Sequence, residues 1–120
     1  MRILLAEDDG LMRHMVAALL SARGHEVVPA ADGHEAHRLF QAEPFPLVVL
    51  DWMMPGLDGP DLLKVIRASG ARPYAILLSG HQEQNLQEEA RKVGFRKVVP
   101  KPLDPSVLEA ALAEAEAFLA

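Results

Sequence analysis

The sequence contains no cysteine, which excludes a disulfide framework and any thiolate metal site and removes the reason to expect an oxidising compartment. No dense Lys/Arg run is present and the formal net charge is -5. Charge-driven binding to nucleic acid or anionic lipid is therefore not expected, and acidic partners are disfavoured. No apolar run approaches the roughly 18 residues that a membrane-spanning helix needs. The apolar start, Met1 to Ala6, meets Glu7, Asp8 and Asp9 too early for a signal-peptide core of about 7 to 15 residues. The expectation is a cytoplasmic protein. Internal repeats, low-complexity tracts and linkers are missing as well, so residues 1–120 read as a single domain with no output domain attached.

What is present is a chain of 120 residues, half of them hydrophobic, long enough to bury roughly two-thirds of the surface its unfolded form exposes. Five β-like runs recur: Ile3 to Ala6, Glu26 to Val28, Leu47 to Leu50, Tyr74 to Leu78 and Lys97 to Val99. A stretch of helical periodicity follows each, the pattern of a parallel sheet with helices on its faces. The first, third and fourth runs are almost wholly apolar, as central strands covered on both sides must be. The second closes with Pro29, which marks an edge strand. Leu11, Met12, Met15, Val16, Leu19 and Leu20 predict one core-facing side of a first helix that stops at Arg23 and Gly24. Ala36, Leu39 and Phe40 mark a second helix; Leu62, Leu63, Val65 and Ile66 a third; and a fourth is predicted from about Asn85 to Val93. In the last helix Asp104 occupies the N-cap and Pro105 the first turn, with Val107, Leu108, Ala111, Leu112 and Phe118 as a buried stripe.

A right-handed (βα)5 order of this kind holds its ligand at the carboxyl ends of the strands. Polar residues gather at those ends: Glu7, Asp8 and Asp9 after the first strand, Asp51 after the third, Ser79 after the fourth and Lys101 after the fifth. Several carboxylates on one rim repel one another unless protons or a cation neutralise them. Magnesium suits such a rim because it accepts one or two protein carboxylates and keeps positions for water and phosphate oxygens; manganese would serve in its place. An Asp there can attack a phosphoryl group to give an acyl phosphate. The magnesium ion, Lys101 and the Ser79 hydroxyl would offset the charge spread over the transferring oxygens.

Each residue has a plainer reading when taken alone. The acidic triplet could be a helix cap, worth about 0.3 to 1 kcal/mol, and for Asp9 that reading is preferred. Asp51 could start a turn, Ser79 could cap the following helix, and Lys101 could be a solvated surface lysine. His34 and His37 lie three apart but lack a third ligand, so a solvated helix face is expected of them. Trp52 is expected to be a partly exposed rim residue.

Taken together, four segments resemble the receiver domains of two-component response regulators, over essentially the whole chain. They are Glu7 and Asp8 after an apolar strand; the run from Asp51 through Trp52, Met53, Met54, Pro55, Gly56, Leu57 and Asp58 to Gly59; Ser79 and Gly80; and Lys101 and Pro102. The resemblance implies a flavodoxin-like α/β fold, with a five-stranded parallel sheet in the order 2-1-3-4-5 and helices on both faces. It implies that Asp51 takes a phosphoryl group from a sensor histidine kinase or a histidine phosphotransfer protein. Asp8 would hold magnesium directly, Glu7 would do so through water, and Asp51 and the Met53 carbonyl would complete the protein's share. Lys101 would pair with the carboxylate or phosphate across a cis bond to Pro102, while Ser79 would turn towards the phosphate. His81 and Met53 would tune hydrolysis of the acyl phosphate. The expected role is a phosphoacceptor switch with self-dephosphorylating chemistry rather than a turnover enzyme, acting on an output partner that the sequence does not name.

Two positions depart from the family pattern. Val98 stands where an aromatic residue usually couples the hydroxyl residue to the surface, and Phe95 replaces a residue that is usually small. Val98 motivates a second reading, a phosphorylation-independent interaction module. A third, a flavin or nucleotide binder, is disfavoured because the loop after the first strand is acidic and has no Gly-rich phosphate cradle.

Overall fold

Alternation along the strands divides the apolar residues between two cores. Ile3, Leu5, Val49, Ile76 and Leu78 point to one side of the sheet, while Leu4, Val48, Leu50, Ala75 and Leu77 point to the other, as a period of two requires. The structure, a computed structural model, describes residues 1–80 and 86–120. In order, its elements are β1 (Arg2–Ala6), α1 (Gly10–Ala22), β2 (Glu26–Ala30), α2 (Gly33–Ala42), β3 (Leu47–Asp51), α3 (Gly59–Ala68), β4 (Tyr74–Ser79), α4 (Leu86–Val93), β5 (Lys97–Pro100) and α5 (Pro105–Leu119). All strand pairs are parallel and the order is β2-β1-β3-β4-β5, the flavodoxin-like arrangement that the resemblance implied. Helices α1 and α5 cover one face through Val16, Leu20, Leu108, Ala111, Leu112 and Ala115. On the other face α2, α3 and α4 supply Ala36, Phe40, Leu62, Leu63, Ile66 and Ala90.

Side-chain oxygens fix where four of the helices begin. Asp9 accepts from the backbone N–H of Leu11 and Met12, Asp32 from Glu35, Asp58 from Asp61 and Asp104 from Ser106. Each satisfies a donor that the first turn leaves without a helical partner. The preferred cap reading of Asp9 and the expected caps Asp104 and Pro105 are thus observed.

Several sequence expectations shift. Strand β2 runs through Pro29 to Ala30 instead of closing before it, which is tolerated because β2 is the sheet edge. Strands β3 and β4 each include the polar residue expected just beyond them, so Asp51 and Ser79 are the last strand residues. The apolar side of α1 is narrower than predicted: Leu11 and Met15 are exposed, and Val16 and Leu20 carry the buried contact. One helix cannot turn six neighbouring positions to the same sheet. In α5 the buried stripe is Leu108, Ala111, Leu112 and Ala115, while Val107 and Phe118 lie largely outside it. Phe95 fills the core beneath α4, and Val98 is half-buried on the same side. The start expected for α4 at Asn85, and His81, lie outside the described residues.

Candidate functional site

The carboxyl ends of β1 and β3 bring their acids within reach of the lysine that follows β5. Glu7 remains tied to the sheet by its backbone N–H, which donates to the Ala30 carbonyl at 3.1 Å. Its side chain is fully buried. One carboxylate oxygen, Oε1, accepts from Lys101 Nζ at 2.7 Å, and the other, Oε2, accepts from the Asp9 N–H at 3.1 Å. Asp51 is also buried, and its Oδ1 lies 2.9 Å from the same Lys101 Nζ. Asp8 is exposed at the mouth, and oxygens of Glu7, Asp8 and Asp51 lie within 4.8 Å of one another. The Lys101–Pro102 peptide bond is cis.

Backbone bonds keep these groups in place. The Trp52 N–H donates to the Leu78 carbonyl at 2.9 Å, and the Lys101 N–H to the Ser79 carbonyl at 2.8 Å. The loop after β3 turns at Gly56, whose φ of 80° suits a residue without a side chain. It then returns so that the Gly59 N–H donates to the Trp52 carbonyl at 2.9 Å. A Cβ at Gly59 would overlap the Asp51 carbonyl oxygen. That close approach is what brings the loop back over the acid.

Two acids share one ammonium in a dry setting, and the electrostatics follow. Burial pushes the Glu7 carboxyl up to about 7, outweighing the Lys101 hydrogen bond that lowers it. Asp51 is raised by the same desolvation, against Lys101 and a hydrogen bond from Glu7. Burial also depresses Lys101, but its hydrogen bonds to Glu7 and Asp51 leave it above its ordinary value. The Lys101 ammonium, at 2.7 Å from Glu7 and 2.9 Å from Asp51, is the positive group that offsets both carboxyls. Oxygen ligands from three carboxylates, two of them reluctant to stay ionised alone, fit a small hard divalent ion.

Ser79 is buried at the end of β4, one residue beyond Leu78, the register partner of Asp51. The described part of the helix that follows, α4, runs from Leu86 to Val93, so the capping reading of Ser79 falls on residues outside those described. Met53 is exposed and lines a cleft of about 440 Å³ together with Asp8, half-buried Trp52 and Asp58. His34 and His37 lie outside the acidic cluster, with the exposed His34 ring resting over Gly56. One contributor escapes a motif-based reading of the sequence. Arg13 Nη1 donates to the Glu7 carbonyl at 2.8 Å and buttresses the acidic turn. Its signal is position: it stands one helical turn after the cap Asp9, and helical side chains lean back towards the N-terminus.

A profile of the family described as the response regulator receiver domain matches residues 3–113. The regulatory protein VanRB of Enterococcus faecalis is 36% identical over 107 residues, covering 89% of this chain and 48% of that protein. The transcriptional regulatory protein PdtaR of Mycobacterium tuberculosis is 35% identical over 108 residues, covering 89% of this chain and 52% of its own length. The chain thus spans about half the length of these curated relatives. Among solved structures, the receiver domain of Francisella response regulator 1452 superposes with a TM-score of 0.92 at 28% identity, covering 99% of this chain and 98% of that one. The chemotaxis protein CheY4 of Vibrio cholerae gives 0.87 at 28% identity, covering 95% and 97%.

Proposed function

This chain belongs to the response regulator receiver domain family, and from that premise we propose that it is a phosphoacceptor switch taking a phosphoryl group onto Asp51. The donor is a phosphohistidine on a sensor histidine kinase or a histidine phosphotransfer protein, and the setting is the cytoplasm. The observation that carries the reading is the placement of Lys101 Nζ 2.7 Å from Glu7 and 2.9 Å from Asp51, with Asp8 beside them.

In this reading one Asp51 oxygen attacks phosphorus while the bond from phosphorus to the donor's imidazole nitrogen breaks, and that nitrogen keeps the electron pair. Lys101 stays protonated and faces the developing charge. Ser79 offers its hydroxyl from the neighbouring strand. Asp8, Glu7 through water, Asp51 and the Met53 carbonyl would hold magnesium. When bound, the ion neutralises the acids and draws charge from the phosphoryl oxygens. The exposed apolar side chains of Leu11, in the first turn after Asp9, and Met53, in the cleft beside Asp8, suit a protein donor better than a small metabolite. The chain acts once per phosphoryl group and loses it by hydrolysis, so it is a switch rather than a turnover enzyme.

A second reading, signalling by protein binding without phosphorylation, draws on the half-buried aliphatic Val98 in β5. A single experiment separates the two. Magnesium is added with a small acyl-phosphate donor or fluoroberyllate, and Trp52 fluorescence and intact mass are followed. The expected result is a magnesium-dependent fluorescence change and, with the donor, the mass gain of one phosphoryl group, both lost in Asp51→Asn. A wild-type protein that binds magnesium but gains no mass would favour the second reading.

A further inference from the structure

Far from Asp51, at the amino ends of β4 and β5, four arginines from separate parts of the chain ring one cleft of about 580 Å³: Arg67, Arg72, Arg91 and Arg96. They come from the end of α3, the loop before β4, helix α4 and the turn before β5. No carboxylate is among the described residues that line the cleft. Among the described residues, none of the four makes an ion pair, nor do Arg13 and Arg38, whereas Arg2, Arg23, Lys64, Lys92, Lys97 and Lys101 do. Guanidinium groups cannot be discharged. In a chain of net charge -5, this cleft collects positive charge with no carboxylate among the described residues that line it.

Three of these groups are held in position. Arg72 Nη1 donates to the Arg67 and Ala71 carbonyls at 2.7 and 2.9 Å. The half-buried Arg67 guanidinium lies against Gly94, occupying the space that a Cβ there would take. Arg96 lies over the Phe118 ring at 3.9 Å and the Tyr74 ring at 5.3 Å, an arrangement that fixes the plane of its guanidinium. Fixed guanidinium forks match the paired oxygens of phosphate better than ammonium groups do. The volume is within the range of small-molecule sites and too roomy for one phosphate.

We propose that this cleft, framed by Arg67, Arg72, Arg91 and Arg96, binds a small anion carrying a diphosphate group, either free or as part of a nucleotide. The site is separate from the phosphoacceptor rim and independent of it.

The test is calorimetric titration of the whole chain with inorganic pyrophosphate and, in a second arm, with a nucleoside diphosphate. EDTA is present to keep divalent ions off the acidic rim. Saturable one-to-one binding is expected. It should weaken about tenfold or more in the Arg67→Gln/Arg91→Gln double variant, and by a smaller factor in Arg67→Lys/Arg91→Lys, which keeps the charge and loses the forks. Tighter binding of the nucleoside diphosphate would identify a nucleotide as the source, and equal binding a free diphosphate. An unchanged melting transition and magnesium response at Trp52 would show that the variants fold. The proposal is overturned by any of three results: no saturable binding in the wild type; binding that survives the double Gln variant but is lost in Lys101→Ala; or displacement of pyrophosphate by a short polyglutamate peptide at lower concentration, which would make the cleft a surface for an acidic protein.

Discussion

Glu7 carries a conflict that its neighbours only partly relieve. It is fully buried, shares one ammonium with Asp51, and holds its proton up to about pH 7 in the folded chain. A carboxyl whose folded value lies above its unfolded one stabilises the fold at low pH, and that contribution disappears as pH rises through the folded value. At pH 8, without divalent ions, Glu7→Gln should therefore be more stable than the wild type, by on the order of 1 to 2 kcal/mol. The gap should close below about pH 4.5, the ordinary value for the group. Urea denaturation at both pH values reads it. The same residue should make magnesium affinity rise with pH up to about 7, because the ion must displace the proton. Glu7→Gln should bind magnesium more weakly and flatten that dependence, as followed by Trp52 fluorescence. Equal affinity at pH 6 and pH 8 in the wild type would contradict a Glu7 carboxyl raised by burial.

At the scale of elements, the site depends on how the loop between β3 and α3 returns to its strand. Asp58 caps α3, and Gly59 brings the helix start against the Asp51 carbonyl. Gly59→Ala has no space for its methyl group and must push the loop away, at a cost of about 1 to 3 kcal/mol. Because the displaced backbone belongs to Asp51, the proposed acceptor, the variant should also lose phosphorylation from an acyl-phosphate donor, even at temperatures where it remains folded. Mass spectrometry after incubation, with circular dichroism as the folding control, checks this. A folded Gly59→Ala that is phosphorylated at the wild-type rate would show that the close approach does not position Asp51.

At the scale of the whole molecule, α5 is fastened to the turn between α1 and β2 by Glu116. Its carboxylate pairs with Arg23, and it also accepts from His25 Nε2 at 2.6 Å. The Arg23 hydrogen bond, more than the smaller opposing effect of burial, holds Glu116 down to about 2. A depressed carboxyl contributes stability above its unfolded value and loses it as pH falls through the folded one. The wild type should accordingly weaken between about pH 4.5 and pH 2. Glu116→Gln should be less stable at neutral pH, by about 1 kcal/mol, and lack that part of the acid response. Thermal melts across this pH range test it, and parallel acid profiles for the two proteins would rule out the fastening role.

The sequence by itself determined the alternation of strands and helices, the caps at Asp9 and Asp104, and the polar ends at residues 7, 8, 51, 79 and 101. These depend on local periodicity and on where a strand stops, both of which are written in consecutive residues. Three things were decided only by tertiary structure. Leu11 and Met15 face water because the sheet accepts one stripe of α1, and the width of that stripe depends on the neighbouring helices. Arg13 supports the Glu7 carbonyl because the chain folds back at Asp9. The arginine cleft gathers charges that no run in the sequence contains, since Arg67, Arg72, Arg91 and Arg96 meet only when α3, α4 and the amino ends of β4 and β5 are packed together. Charge density is a property of space rather than of chain order, so the acidic composition that disfavours anionic partners holds for the average surface and fails at this end of the sheet.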